Sequence, residues 1–124
     1  MFDAKRLRAV CLGFNGAVEE FPFPRNQEVC TFKVGGKIFA LSSLDAGPLS
    51  VSLKCDPDLA ERLRAAHPEV VPGHHLNKRH WNTVSLTGTL DDRLVLDMIE
   101  DSYDLIVARL PRAQQLVLDW PGHA

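Results

Sequence analysis

The stretch HHLNKRHWNT, residues 74–83, gathers the side chains best suited to chemistry: His74, His75 and His80, the cations Lys78 and Arg79, and Trp81. Imidazoles ligate metals or move protons, cations meet phosphates, and an indole stacks on a base. A zinc site is the weakest of these uses. Adjacent His74 and His75 diverge, and His80 lies too far on for the short helical spacing of zinc motifs, so no metal is expected. The run HWNTVSL alternates like a strand. With Val84 and Leu86 toward a core, His80 and Asn82 turn inward as structural residues, while Trp81, Thr83 and Ser85 face out.

Other chemistry has less support. Cys55 closes a strand just before an Asp56-capped helix, where a helix dipole can lower a thiol pKa. The alternation of LSVSLKC places it on the core side, so an inert buried thiol is expected. Glu19-Glu20 and Asp91-Asp92 read as a solvated edge and a helix start, not as a general acid/base pair. There is no GxSxG, no phosphate-cradling glycine loop and no HExxH. The expectation is a protein without catalytic activity, cofactor or small-molecule substrate.

The elements that would position these residues are legible. Asp3 caps a first helix, with Phe2 and Leu7 as a hydrophobic staple and Leu7, Val10, Cys11 and Phe14 as its apolar stripe. In EVCTFKVGGKIFAL, Gly35-Gly36 predicts a two-residue hairpin with Val34 opposite Lys37, Phe32 opposite Phe39 and Cys30 opposite Leu41. That register puts Cys30, Phe32, Val34, Phe39 and Leu41 on one face and Thr31, Lys33, Ile38 and Ala40 on the other. LSVSLKC is a half-buried strand. DPDLAERLRAAHP is a helix with Asp56 as N-cap and Pro57 in its first turn, burying Leu59, Leu63 and Ala66. PEVVPGHHLNKR reads as a loop. A long helix runs from a Thr89 cap to Arg109, its apolar residues within an arc of roughly 140°. The tail 112–124 is either a docked segment or a partner contact. Helix, meander, helix, strand, long helix describes an α+β fold, an antiparallel sheet with helices packed on one face.

Composition narrows the class. In 124 residues, 45% hydrophobic and 24% charged content is ordinary for one globular domain. No apolar run is long enough for a bilayer, and MFDAKRLRAVCLGF has no signal-peptide core, so no membrane role and a cytoplasmic location are expected. The cysteines Cys11, Cys30 and Cys55 form no CxxC pair and suit free thiols in a reducing compartment. A net charge of −2 argues against a protein that lives on non-specific phosphate attraction, so any nucleic-acid contact must use a local patch. On a common sheet the outward residues Thr31, Lys33, Ser50, Ser52, Lys54, Arg79, Trp81, Thr83 and Ser85 form such a patch, suited to phosphate contacts and base stacking. The same face is also an ordinary polar sheet surface.

In PGHHLNKRHWNTV, with FPF, FKVGGKIFAL, LSVSLKCDPDLAERLR and MIEDSYDLIVARLP in order, the chain resembles the MmcQ/YjbR family over about residues 3–111. The resemblance implies a frataxin-like (CyaY-like) two-layer fold, a domain over 1–111 and a C-terminal extension over 112–124. It also implies DNA binding, by analogy with a double-wing domain, through Asn77, Lys78, Arg79, Trp81 and Thr83, with Lys54 and, on the same sheet face, Lys33. His80 and Asn82 complete the motif as structural residues, and no catalytic residue carries over. His75 stands where the family commonly has an aromatic, and the tail extends past the family's RLP end. Frataxins bind iron through an acidic ridge, whereas the first helix here reads DAKRLRAV, more basic than acidic. The expected partner is therefore DNA. A protein partner reached through the extension is the alternative, and a metal-binding module a weaker one.

Overall fold

The computed structural model describes residues 2–22, 29–43, 48–73 and 76–120. Helix α1 (Ala4–Leu12) leads into strands β1 (Val18–Glu20), β2 (Val29–Val34), β3 (Lys37–Ser43) and β4 (Ser50–Lys54). Helix α2 (Pro57–Ala66), strands β5 (Val70–Pro72) and β6 (Trp81–Ser85), and helices α3 (Asp92–Val107) and α4 (Arg112–Val117) follow. The six strands form one antiparallel sheet in the order β1-β2-β3-β4-β6-β5. The fold is α+β, with α1 and α3 against one face: Leu7 and Cys11 of α1 and Val95, Ile99 and Ile106 of α3 join Phe32, Val51 and Val84 of the sheet in one core. Phe14 stacks on Tyr103 with ring centroids 4.7 Å apart, and both meet Phe39 edge-on.

The caps follow from local chemistry. Asp3 Oδ1 accepts from the Arg6 N–H and Asp56 Oδ2 from the Leu59 N–H, satisfying first-turn donors as expected. The long helix starts later than its sequence predicts. Asp91 is its N-cap, accepting from the Arg93 N–H, because the Thr89 hydroxyl and N–H both donate to Glu69 instead. In α2 the fully buried residue is Ala60, and Ala66 is exposed. VVP, read as loop, is the edge strand β5.

The hairpin register also needs correction. Gly35 and Gly36 do take positive φ (58° and 80°), and Val34 pairs with Lys37. Lys33 then pairs with Ile38 but Phe32 with Ala40, so Phe39 is an extra residue, a β-bulge. Phe39 and Ala40 are both fully buried, and Leu41 swings to the outer face opposite Thr31 and Ser52. Ser102 of α3 accounts for the bulge being tolerated. Its hydroxyl donates to the Phe39 carbonyl at 2.6 Å and accepts from the Lys54 N–H at 2.9 Å, bridging β3 and β4 where they part.

The tail docks. Gln115 Nε2 donates to the carbonyls of Val107, Ala108 and Leu110 at the end of α3, and Trp120 Nε1 donates to Asp104. Leu118 and Trp120 pack against the core. No helix among the described residues is long and apolar enough to cross a membrane.

Candidate nucleic-acid interface

The segment 76–83 is built as a turn feeding a strand. Asn77 organises it: its Oδ1 accepts from the Arg79 N–H at 3.0 Å and its carbonyl from the N–H groups of His80 and Trp81. The His80 carbonyl accepts from the Cys55 N–H at 2.7 Å, tying the turn to the end of β4. Gly73 donates to the Trp81 carbonyl, and a Cβ there would come within 2.8 Å of Trp81 Cβ, so the β5 end admits only glycine without a shift. Asn77, Lys78 and Arg79 remain exposed, with Lys78 Nζ 3.3 Å from the Gly73 carbonyl.

Asn82 points inward and is 2% exposed, as the alternation predicts. Its Oδ1 accepts from Arg64 Nε of α2 at 2.7 Å. The same guanidinium donates to the Lys78 carbonyl and reaches the Trp81 carbonyl at 3.4 Å. Arg64 thus clamps both sides of the turn. Nothing in ERLRAA separates Arg64 from a solvated helix arginine such as Arg62, so the sequence does not single it out.

The outer sheet face differs from a plain polar surface. Thr31 and Ser52 are 1% and 5% exposed; the Thr31 hydroxyl donates to the Glu20 carbonyl, and Ser52 shares a 2.8 Å hydrogen bond with Thr83. Lys33 forms a 2.7 Å ion pair with Glu20. These four are committed within the sheet. Lys54 and Trp81 are directly opposed across β4 and β6, both part-exposed on the outer face. Burial lowers the Lys54 pKa, and the positive charges of Arg109 and Lys37 lower it further. Lys37 and Arg109 are thus near enough for their charge to reach Lys54, and Lys54 is the cation set directly opposite the indole. Lys37 and Arg109 come from the hairpin turn and from beyond the end of α3, a juxtaposition that their sequence positions do not reveal.

Cys55 is 8% exposed, and burial, with Asp101 and Asp56, pushes its thiol up to about 11. It is a protonated thiol at neutral pH, as its core-side position implies. No group of three or more His, Cys, Asp or Glu suited to a metal occurs among the described residues. His74 and His75 lie outside those residues.

Residues 12–105 match the YjbR family model. The chain belongs to the YjbR family. It is similar to YjbR itself from Escherichia coli K12, 41% identical over 86 residues covering 69% of this chain and 73% of that one. YbdF from Escherichia coli O157:H7 is 38% identical over 96 residues, 77% of this chain and 79% of the relative. The crystal structure of DR2400 from Deinococcus radiodurans, a DUF419 domain, superposes with a TM-score of 0.90 at 38% identity, covering 100% of this chain and 93% of that one. A Pseudomonas syringae crystal structure gives 0.73 at 25% identity over 84% of this chain and 98% of its own. YjbR and YbdF are both named uncharacterised proteins, so family membership identifies the architecture and leaves the activity to be argued from residues.

Proposed function

We propose that this YjbR-family chain is a cytoplasmic, non-catalytic DNA-binding or regulatory module with a frataxin-like arrangement, using the outer face of its sheet. The observation that carries this reading is the part-exposed Lys54 directly opposed to Trp81, with Lys37 and Arg109 near enough for their charge to reach it. A lysine whose charge is disfavoured by burial and by two neighbouring cations gains most from an anion, and a phosphate supplies one. Trp81 offers a stacking platform at the same place, a combination suited to a single strand or a splayed duplex end. Arg79, Lys78 and Asn77 extend the patch along the turn that Arg64 holds in place. Thr83 sits in the middle of the face, while Lys33, already paired with Glu20, contributes less. Three free, buried cysteines fit a reducing compartment.

Fluorescence anisotropy with labelled single-stranded and duplex oligonucleotides tests this. Lys54→Gln, Arg79→Ala and Trp81→Ala should each weaken binding several-fold; affinity unchanged in all three sinks the proposal. A second reading, a protein-contact module, has one observation in its favour: Leu116 and Val117 on α4 are 67% and 85% exposed. Pull-down with and without residues 112–124 separates the two, since DNA affinity should not depend on that apolar pair.

A further inference from the structure

We infer that the cleft between α2 and α3 is a binding site for a small amphiphilic amine, a molecule with a carbonyl oxygen, a short apolar body and a terminal ammonium group. The site lies on the helix side of the sheet and shares Lys54 with the proposed DNA patch, but the inference does not rest on the DNA reading. Its inner end is defined by Asn82. The Arg64 guanidinium carries donors only, so the oxygen of the Asn82 amide must face it, and the amide NH2 is turned the other way. That NH2 has no hydrogen-bond partner among the described residues although the residue is 2% exposed. Buried polar groups are almost always satisfied, so an orphan donor calls for an acceptor.

Asn82 lines a cavity of about 10 Å³ whose other walls include Leu53, Cys55, Leu59 and Met98. That volume admits one oxygen atom, of a water or of a ligand carbonyl, and no more. An outer cavity of about 280 Å³ adjoins it, sharing Cys55, Leu59 and Asp101 and adding Asp56, Asp104 and Leu105. Leu59, Leu105 and Ala108 give it an apolar body, and three carboxylates surround its mouth. Burial and the negative charges of Asp104, Asp97 and Glu100 raise the Asp101 pKa, so a cation at the mouth is welcome. From Asn82 outward the cleft offers a donor, an apolar wall and acids, with Asp101 lining both cavities and Asp56 and Asp104 only the outer one. A carbonyl, a methylene chain and an ammonium match it in the same order.

Titration of the 15N-labelled protein with 6-aminohexanamide, hexylamine and hexanamide tests this, read on the Asn82 side-chain amide signals. 6-Aminohexanamide should shift them saturably and bind at least about tenfold tighter than either probe lacking one end. Asp101→Asn, at an exposed position that leaves the core intact, should weaken its binding about fivefold or more while the Asn82 signals still move at saturation. Asn82 signals unmoved up to about 20 mM probe overturn the proposal, as do equal affinities for the three probes or an unaltered affinity in Asp101→Asn.

Discussion

Replacing Arg64 by methionine should cost far more than the loss of a helix-surface arginine. The substitution keeps the aliphatic stem and removes the guanidinium that serves Asn82 Oδ1, the Lys78 carbonyl and, weakly, the Trp81 carbonyl. These acceptors do not count equally. Lys78 is exposed, so water replaces the lost donor at its carbonyl. The Trp81 carbonyl keeps its bond from the Gly73 N–H. Asn82 is the costly one, because its oxygen is left buried and unpaired beside an NH2 that already has no partner among the described residues. An orphaned buried acceptor costs about 1–3 kcal/mol, so about 2–3 kcal/mol is expected overall. For a chain of this size each kcal/mol lowers Tm by roughly 3–6 °C. Urea unfolding and calorimetry measure the total, and a cycle with Asn82→Leu isolates the mechanism. The double variant should be less destabilised than the sum of the singles, because replacing both partners leaves no orphan oxygen. A cost below about 0.5 kcal/mol for Arg64→Met, or a strictly additive cycle, would refute the clamp.

Further outcomes follow from the same contacts. Ser102→Ala removes the hydroxyl bridge between the Phe39 carbonyl and the Lys54 N–H and should destabilise by about 2 kcal/mol, with faster amide exchange at Lys54; Ser102→Thr, which keeps the hydroxyl, should exchange at Lys54 like the parent. Hydrogen bonding from Arg8 holds the Glu19 carboxyl below its usual range, assisted by the Cys30 thiol and opposed by burial. A depressed carboxylate contributes stability above the unfolded pKa, near 4.5, and loses it as pH falls through the folded value. Glu19→Gln should therefore lower stability by about 1 kcal/mol at pH 7 and flatten the acid limb below pH 4.5 in unfolding midpoints measured across pH.

Much of the architecture was legible in the chain, and the parts that were not have physical reasons. Alternation in HWNTVSL put Asn82 inside and Trp81 outside because a pleated strand has a strict period of two. The caps Asp3 and Asp56 were readable because capping is local. The bulge at Phe39 was not. Gly35-Gly36 fixes the turn, but the extra residue four positions beyond Gly35 depends on Ser102, which lies 63 residues further along the chain. Strands β1 and β5 have three residues each, too few for a periodic signal, and exist because β2 and β6 present edges to them. The site divided in the same way. The motif block marked the segment, whereas Arg64, Lys37 and Arg109 reach it through tertiary packing, and Thr31 and Ser52, read as surface, are consumed by hydrogen bonds within the sheet.

The most direct measurement of the proposed DNA contact is the salt dependence of oligonucleotide binding for the parent protein and for Lys54→Gln. If Lys54, Lys37, Arg109 and Arg79 each neutralise a phosphate, the logarithmic slope for a single strand should be roughly −3, and Lys54→Gln should bring it closer to zero by about 0.7. Its unfolding midpoint should stay level or rise, because Lys54 carries its charge at a cost in the folded state. A slope near zero in the parent protein, or one that Lys54→Gln leaves unchanged, would contradict a phosphate-binding face.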